Sequence, residues 1–150
     1  MGCEMGNREF RRLNEEDLSR VLQMEKDFRS NFICEENARI FLANPMCWMV
    51  ACLDEGRVIG FAYGYELNRL NDIGNMLYIH EVGVLPEYQQ QGVGKLIFGE
   101  LKALCKQKRI CRIFLFTEKS NQPACGLYES VGGEAAHEDD VAYFFNLLDV

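Results

Sequence analysis

Apolar and polar positions along the chain recur with two periods, and the switches between them mark out the elements. Glu9 to Leu13 reads as a short strand. Asn14 is placed to cap a helix that opens with Glu15-Glu16-Asp17, acids that suit the positive end of the helix dipole. Leu18, Val21 and Leu22 form that helix's apolar stripe. A second helix is predicted over Glu35 to Ala43. It ends before Asn44-Pro45, because a residue preceding proline avoids helical geometry. The Arg29 to Cys34 connection between the two helices has no clear period. Cys47 to Leu53 and Arg57 to Leu67 are apolar, aromatic-rich strands joined by the turn Asp54-Glu55-Gly56.

A polar loop, Asn68 to Asn75, precedes a third long strand over Met76 to Leu85. The next helix is predicted from Gly92 to Gln107, with Ile97, Leu101, Leu104 and Cys105 on one face. Lys102, Lys106 and Lys108 lie toward its C-terminus, where the dipole favours cations and where they read as a solvated face. Ile110 to Thr117 is nearly continuous in apolar residues and is expected to be buried on both faces. Its link to the Met76–Leu85 strand runs through a helix, the usual connection of a parallel pair. Ala124, Leu127, Tyr128 and Val131 then repeat at helical spacing before Gly132-Gly133 stops the helix. Glu134 to His137 and Val141 to Leu147 read as a closing hairpin around Glu138-Asp139-Asp140. The order βααβββαβαββ describes one α/β domain over residues 1–150, a mixed α+β sheet flanked by about four helices.

Composition narrows the class of function. The 23 acidic residues against 16 basic give a net charge of −7, which speaks against a nucleic-acid partner; it would attract a cationic small molecule, while surplus acid more often simply serves solubility. No apolar run is long enough for a membrane span, and Met1-Gly2-Cys3-Glu4-Met5-Gly6 matches neither a signal peptide nor a myristoylation site. A cytoplasmic location is the expectation. The seven cysteines show no C-x-x-C pair and only two histidines accompany them, so they read as reduced, mostly apolar fillers rather than disulfides or metal ligands.

Candidate chemistry centres on Gln89-Gln90-Gln91-Gly92-Val93-Gly94-Lys95, where an apolar strand ends at Pro86 and two glycines open a helix. A helix start leaves N–H groups unpaired and carries partial positive charge. Glycines allow a phosphate to reach the bare backbone, so a phosphorylated cofactor is the expected occupant of Gln90 through Lys95. Glu81 interrupts an apolar strand just upstream. Burial there would raise its pKa toward the range of a general base; the same residue also reads as a charge at a sheet edge. His80 points to the opposite face if the strand is regular. Gly83, within a strand, marks a bulge, a close backbone approach or a packing accommodation.

The wording Gln89-x-x-Gly92-x-Gly94 after a strand ending in Val-x-Pro resembles the acetyl-CoA-binding signature of the GNAT acyltransferases. Asn121-x-x-Ala124-x-x-Leu127-Tyr128 resembles the later motif of the same family, and the element order matches its layout over nearly the full length. The resemblance implies acetyl-CoA as co-substrate without a metal. Gln89 to Lys95 would lie at its pyrophosphate, the backbone of Val82, Gly83 and Val84 along its pantetheine arm, and the Asn121 side chain on that arm. It also implies Tyr128 as hydrogen-bond donor to the departing sulfur, direct transfer to a primary amine in a ternary complex, and a homodimer. Tyr78-Ile79-His80-Glu81-Val82-Gly83-Val84 is most similar to the strand of the aminoglycoside 3-N-acetyltransferase type I group, with Glu81 where that group has Asp. A small cationic acceptor follows, an aminoglycoside in particular, with antibiotic resistance as its role and Glu81, Asp139 and Asp140 as acidic contacts. Ribosomal-protein N-terminal acetyltransferases carry a Glu whose equivalent here falls near Phe116, with Glu118 displaced in sequence, so the resemblance to them is weaker. Gly133 stands where a Phe is common after Tyr-x-x-x-Gly. Acetylation of a peptide N-terminus or a lysine, a silent CoA-binding module and a pure interaction domain are the alternatives.

Overall fold

The computed structural model describes residues 7–29 and 33–148; the start of the chain, Cys3 and part of the Arg29–Cys34 connection lie outside them. Five strands form one sheet in the order β1 (Arg8–Arg12), β2 (Cys47–Asp54), β3 (Arg57–Leu67), β4 (Asn75–Val84) and β5 (Ile110–Leu115). The first three pairings are antiparallel and β4–β5 is parallel, as a helical crossover requires. Glu55 and Gly56 take φ of 51° and 82°, the positive pair that a two-residue hairpin between Asp54 and Arg57 needs.

Helices α1 (Leu18–Phe28) and α2 (Glu35–Ala43) cover one face. Val21, Met24 and Ala38 pack there on Met49, Ala51, Leu53, Val58 and Phe61. On the other face, α3 (Val93–Gln107) lays Ile97, Phe98, Leu101 and Cys105 against Trp48, Val50, Ile59, Leu77 and Ile79. The middle of β2 is buried on both sides because helices cover both sides of the sheet. Burial pushes the thiols of Cys52 and Cys105 up to about 11, so both behave as small apolar groups.

The turn before α1 is a capping box. Asn14 accepts from the Glu16 N–H at 2.8 Å, while the Asp17 carboxylate accepts from the Asn14 N–H at 2.9 Å. Asp17 is almost fully buried and also receives Arg11 through two bonds of 2.8 Å and Arg20 at 3.1 Å. The helix itself begins at Leu18, one turn later than its acidic opening suggests.

Two expectations fail at the end of the chain. The closing hairpin is absent: residues 134–148 contain no strand, and Val141 to Leu147 is exposed. As a result β5 is an edge strand, half-exposed rather than buried on both faces. Its apolar sequence anticipates a neighbour that the described residues of the single chain do not provide. The preceding helix, α4 (Gln122–Ser130), is present and packs Leu127 and Tyr128 on the α3 side.

Candidate active site

The site lies where β4 and β5 part. Their parallel register ends at Ile79 paired with Leu115, leaving His80 to Val84 without a partner on that side among the described residues. A cavity of about 250 Å³ opens in this gap, lined by His80, Glu81, Val82, Phe116, Asn121 and Tyr128 among others.

A bulge sets the direction of the side chains. Tyr63 pairs with Glu81 and Gly64 with Ile79, so His80 is the extra residue on β4. A Cβ at Gly64 would lie 1.8 Å from the Tyr78 carbonyl oxygen, so only glycine lets the two backbones come this close. The strand is therefore not regular at His80, and the expectation that His80 faces away from the site fails. Its ring sits 5.6 Å from Tyr63, 6.3 Å from Tyr65 and 5.8 Å from Tyr78, and its Nδ1 is 3.1 Å from the Tyr78 hydroxyl. Phe114 and Phe116 extend this aromatic wall beyond Tyr78. The alternate aromatics at Phe61, Tyr63 and Tyr65 were the sequence signal for it.

Gly83 is not the bulge. A Cβ there would come within 2.8 Å of the Phe61 ring, so this glycine accommodates packing. Glu81 is exposed at the mouth of the gap, and the burial anticipated for it is not present. Its charge acts on Tyr63 instead. Burial, then the Glu81 charge, push that phenol up to about 12.

At the head of α3 the loop is built as anticipated, with one shift. Gly92, at φ +79°, is the cap and Val93 the first helical residue. The first intrahelical bond runs from the Leu96 N–H to the Gly92 carbonyl at 3.1 Å, leaving the amides of Val93, Gly94 and Lys95 without an acceptor in the helix. Among the described residues, nothing beyond its own chain neighbours lies within 4 Å of a Cβ built on Gly92. Lys95 stands in the first turn, where the helix dipole disfavours a cation unless an anion sits there too. These features fit a phosphorylated ligand. Gly94 has a structural reason as well: a Cβ would press on Leu127 of α4 at 3.0 Å.

The loop's glutamines hold it in shape. Gln89 donates to the Val84 carbonyl at 3.0 Å, and Gln91 donates to the Glu87 carbonyl at 3.1 Å while accepting from Arg8 at 3.0 Å. Tyr88 donates to Asp54 at 3.0 Å and lies under the Arg8 guanidinium. Sequence reasoning missed Arg8, Asp54 and Tyr88, which act across the fold. Gln90 takes φ 62°, a left-handed step inside the turn.

On the far side of the gap, Asn121 caps α4, its Oδ1 accepting from the Ala124 N–H at 3.2 Å. That leaves its amide N–H groups for the cavity. Tyr128 is half-buried against Phe98, ring centroids 5.6 Å apart, and burial, then Cys125, raise its pKa above the usual 10.0. Asp139 and Asp140 do not line this cavity. They sit in an exposed turn closed by the Asp140 N–H on the His137 carbonyl.

Residues 8–133 match the Acetyltransferase (GNAT) family model. A candidate ribosomal protein bS18-alanine N-acetyltransferase of Bacillus subtilis (strain 168) is 28% identical over 123 residues, 81% of this chain and 78% of that protein. The mycothiol acetyltransferase of Kocuria rhizophila is 31% identical over 86 residues, 57% of this chain and 28% of that protein. An aminoglycoside acetyltransferase from an uncultured soil metagenomic sample, solved with trehalose, superposes with a TM-score of 0.83 at 23% identity, covering 97% of this chain and all (100%) of that one. An aminoglycoside N-acetyltransferase solved with CoA gives 0.75 at 16% identity, over 94% and 95% of the two chains. Among the described residues, no helix is long and apolar enough to cross a membrane.

Proposed function

Since this chain belongs to the GNAT acetyltransferase family, and so is an acetyl-CoA-dependent N-acetyltransferase, we propose that it acetylates a primary amine of a small cationic acceptor, an amino-sugar of the aminoglycoside kind. The observation that carries this reading is the gap beyond Ile79 and Leu115, which gathers Glu81, Asn121 and Tyr128 around one cavity beside an aromatic wall. When bound, acetyl-CoA supplies an acyl group activated as a thioester. The amides of Val93, Gly94 and Lys95, with the Lys95 cation, hold its diphosphate. The free N–H groups of Asn121 and the backbone of Val82 to Val84 orient the amide-rich arm. Glu81 takes the proton from the attacking amine, and Tyr128 donates a hydrogen bond to the departing sulfur. An ammonium group entering the gap would meet the Glu81 carboxylate and the faces of the neighbouring aromatic rings, both of which attract cations.

A peptide N-terminus is the second acceptor to weigh, favoured by the 28% identity to the Bacillus subtilis protein. A panel of amino-sugars and of peptides beginning with alanine, incubated with acetyl-CoA and read by mass, separates the two. Addition of one acetyl group to an amino-sugar, with the peptides unchanged, is expected; the reverse pattern overturns the acceptor reading.

Two variants test the parts. Gly92→Ala forces a Cβ onto a left-handed residue, costing about 1–2 kcal/mol, and sets a methyl beside the phosphate-facing amides. The KM for acetyl-CoA is expected to rise on the order of tenfold, with kcat near wild type; an unchanged KM would remove the loop from binding. Glu81→Gln is expected to lower kcat about tenfold, less than for a sequestered base, because water reaches this exposed site. The affinity for acetyl-CoA should stay the same. Full activity of this variant across the pH range would discharge Glu81 from proton transfer.

A further inference from the structure

The acceptor nitrogen has two protons to lose, and Glu81 takes only one of them. An acceptor that arrives as R–NH3+ leaves as the amide R–NH–CO–CH3. The C–N bond forms, the C–S bond breaks, and the sulfur departs with that electron pair. Glu81 receives the proton shed as nitrogen attacks. The other proton must go earlier, because an ammonium nitrogen has no lone pair with which to attack. Among the described residues lining the cavity, His80 is the further proton acceptor. It is exposed there, and as the extra residue of the β4 bulge it is turned toward the site rather than away.

We propose that His80 takes the first proton from the incoming ammonium and that Tyr78 holds its ring for that step, which rests on the amine-acetylation reading above. The Tyr78 hydroxyl lies 3.1 Å from Nδ1. With the Nδ1–H donating to that oxygen, Nε2 keeps the ring's lone pair and receives the proton. The imidazolium so formed retains its bond to Tyr78. It also stands among the rings of Tyr63, Tyr65 and Tyr78, at 5.6, 6.3 and 5.8 Å, and aromatic faces attract cations. The titratable groups around it are those three phenols, the adjacent Glu81 carboxylate and, across the cavity on α4, Tyr128. From β5 comes Phe116, which carries no charge. Burial above all raises the phenols of Tyr63, up to about 12, and of Tyr65, so both stay neutral beside the ring. Because His80 is exposed, water carries its proton away before the next turnover. Gly64, which admits the bulge, thereby serves the chemistry as well as the packing.

Two acceptors of one skeleton test this. Glucamine, an amino-sugar alcohol, carries an alkylamine that is protonated at neutral pH. Its O-amino counterpart, with –O–NH2 in place of –NH2, arrives neutral. His80→Gln is expected to lower kcat/KM for glucamine about tenfold or more at neutral pH. That loss should shrink as rising pH deprotonates the amine in solution, and for the O-amino sugar it should stay below about twofold. Glu81→Gln should slow both sugars alike, since each nitrogen sheds its last proton on attack. Equal losses on both sugars with His80→Gln would make the residue structural, and no loss on either would hand the first proton to water. Both results overturn the role of His80 and leave the acetylation reading standing. If the wild-type enzyme acetylates neither sugar, the acceptor reading falls and the role of His80 falls with it. A long-range 1H–15N spectrum of the wild-type protein, assigned with His137→Gln, reads the ring without relying on the His80 variant. In the neutral ring, hydrogen is expected on Nδ1; hydrogen on Nε2 instead would overturn the role.

Discussion

Tyr128→Phe is expected to reduce kcat by about 10²- to 10³-fold, equivalent to roughly 3–4 kcal/mol of barrier, while the KM for acetyl-CoA changes little. The residue is half-buried at the end of α4 and lines the gap that Glu81 enters from β4. Burial and the adjacent Cys125 keep its phenol above the ordinary value of 10.0, so the proton stays on oxygen throughout the neutral and mildly alkaline range. A thiol ordinarily titrates near 8.5, so complete proton transfer from such a phenol to the leaving sulfur is uphill. A hydrogen bond that strengthens as charge grows on sulfur is the available contribution. Phenylalanine keeps the ring against Phe98 and removes only that donor, so the melting temperature should stay within a few degrees. Steady-state kinetics with saturating acetyl-CoA checks the expectation. Wild-type turnover in this variant would show that the sulfur leaves without help from Tyr128.

Asp17→Ala is expected to cost about 3–5 kcal/mol of folding stability, because it strips a buried partner from two guanidinium groups and from a backbone cap. The carboxylate is 1% exposed and accepts from Arg11, Arg20 and the Asn14 N–H. Hydrogen bonds from Arg11 are the main cause holding its pKa below the usual 3.8, opposed by burial. A carboxylate depressed in the folded state adds stability that is complete above the unfolded-state value of about 3.9 and is lost as pH falls through the lower folded value. Wild-type stability should therefore decline below about pH 4, and Asp17→Asn should flatten that part of the curve. Urea unfolding at a series of pH values reads both effects. A loss under 1 kcal/mol for Asp17→Ala would mean that Arg11 and Arg20 find water as readily as they find Asp17.

The fold was legible wherever one period held for a whole element. The β2–β3 hairpin, α3 and the crossover to a parallel β5 all follow from local pattern and a glycine in the right place. The glycine loop was legible for the same reason, since a strand end, a polar turn and a helix start are adjacent in sequence. His80 was not. Its direction depends on a bulge that needs Gly64, sixteen residues away, to admit the Tyr78 carbonyl. Glu81 was located but its exposure was misjudged, because an apolar strand reads as buried even where its neighbour has splayed away. The anchors of the loop, Arg8, Asp54 and Tyr88, come from three distant segments and leave no local signature. The Val141 to Leu147 segment has the composition of a strand, but composition does not say on which sheet, or on which copy, a strand will pair.

The claim on which the proposed activity rests is that the amides heading α3 grip a diphosphate. Isothermal titration of coenzyme A and of pantetheine, which lacks the nucleotide diphosphate, addresses it directly. Coenzyme A is expected to bind once per chain with a Kd in the micromolar range, and pantetheine at least about a hundredfold more weakly, a difference of roughly 2.7 kcal/mol. Equal affinities for the two, or no heat with either on folded protein, would contradict it.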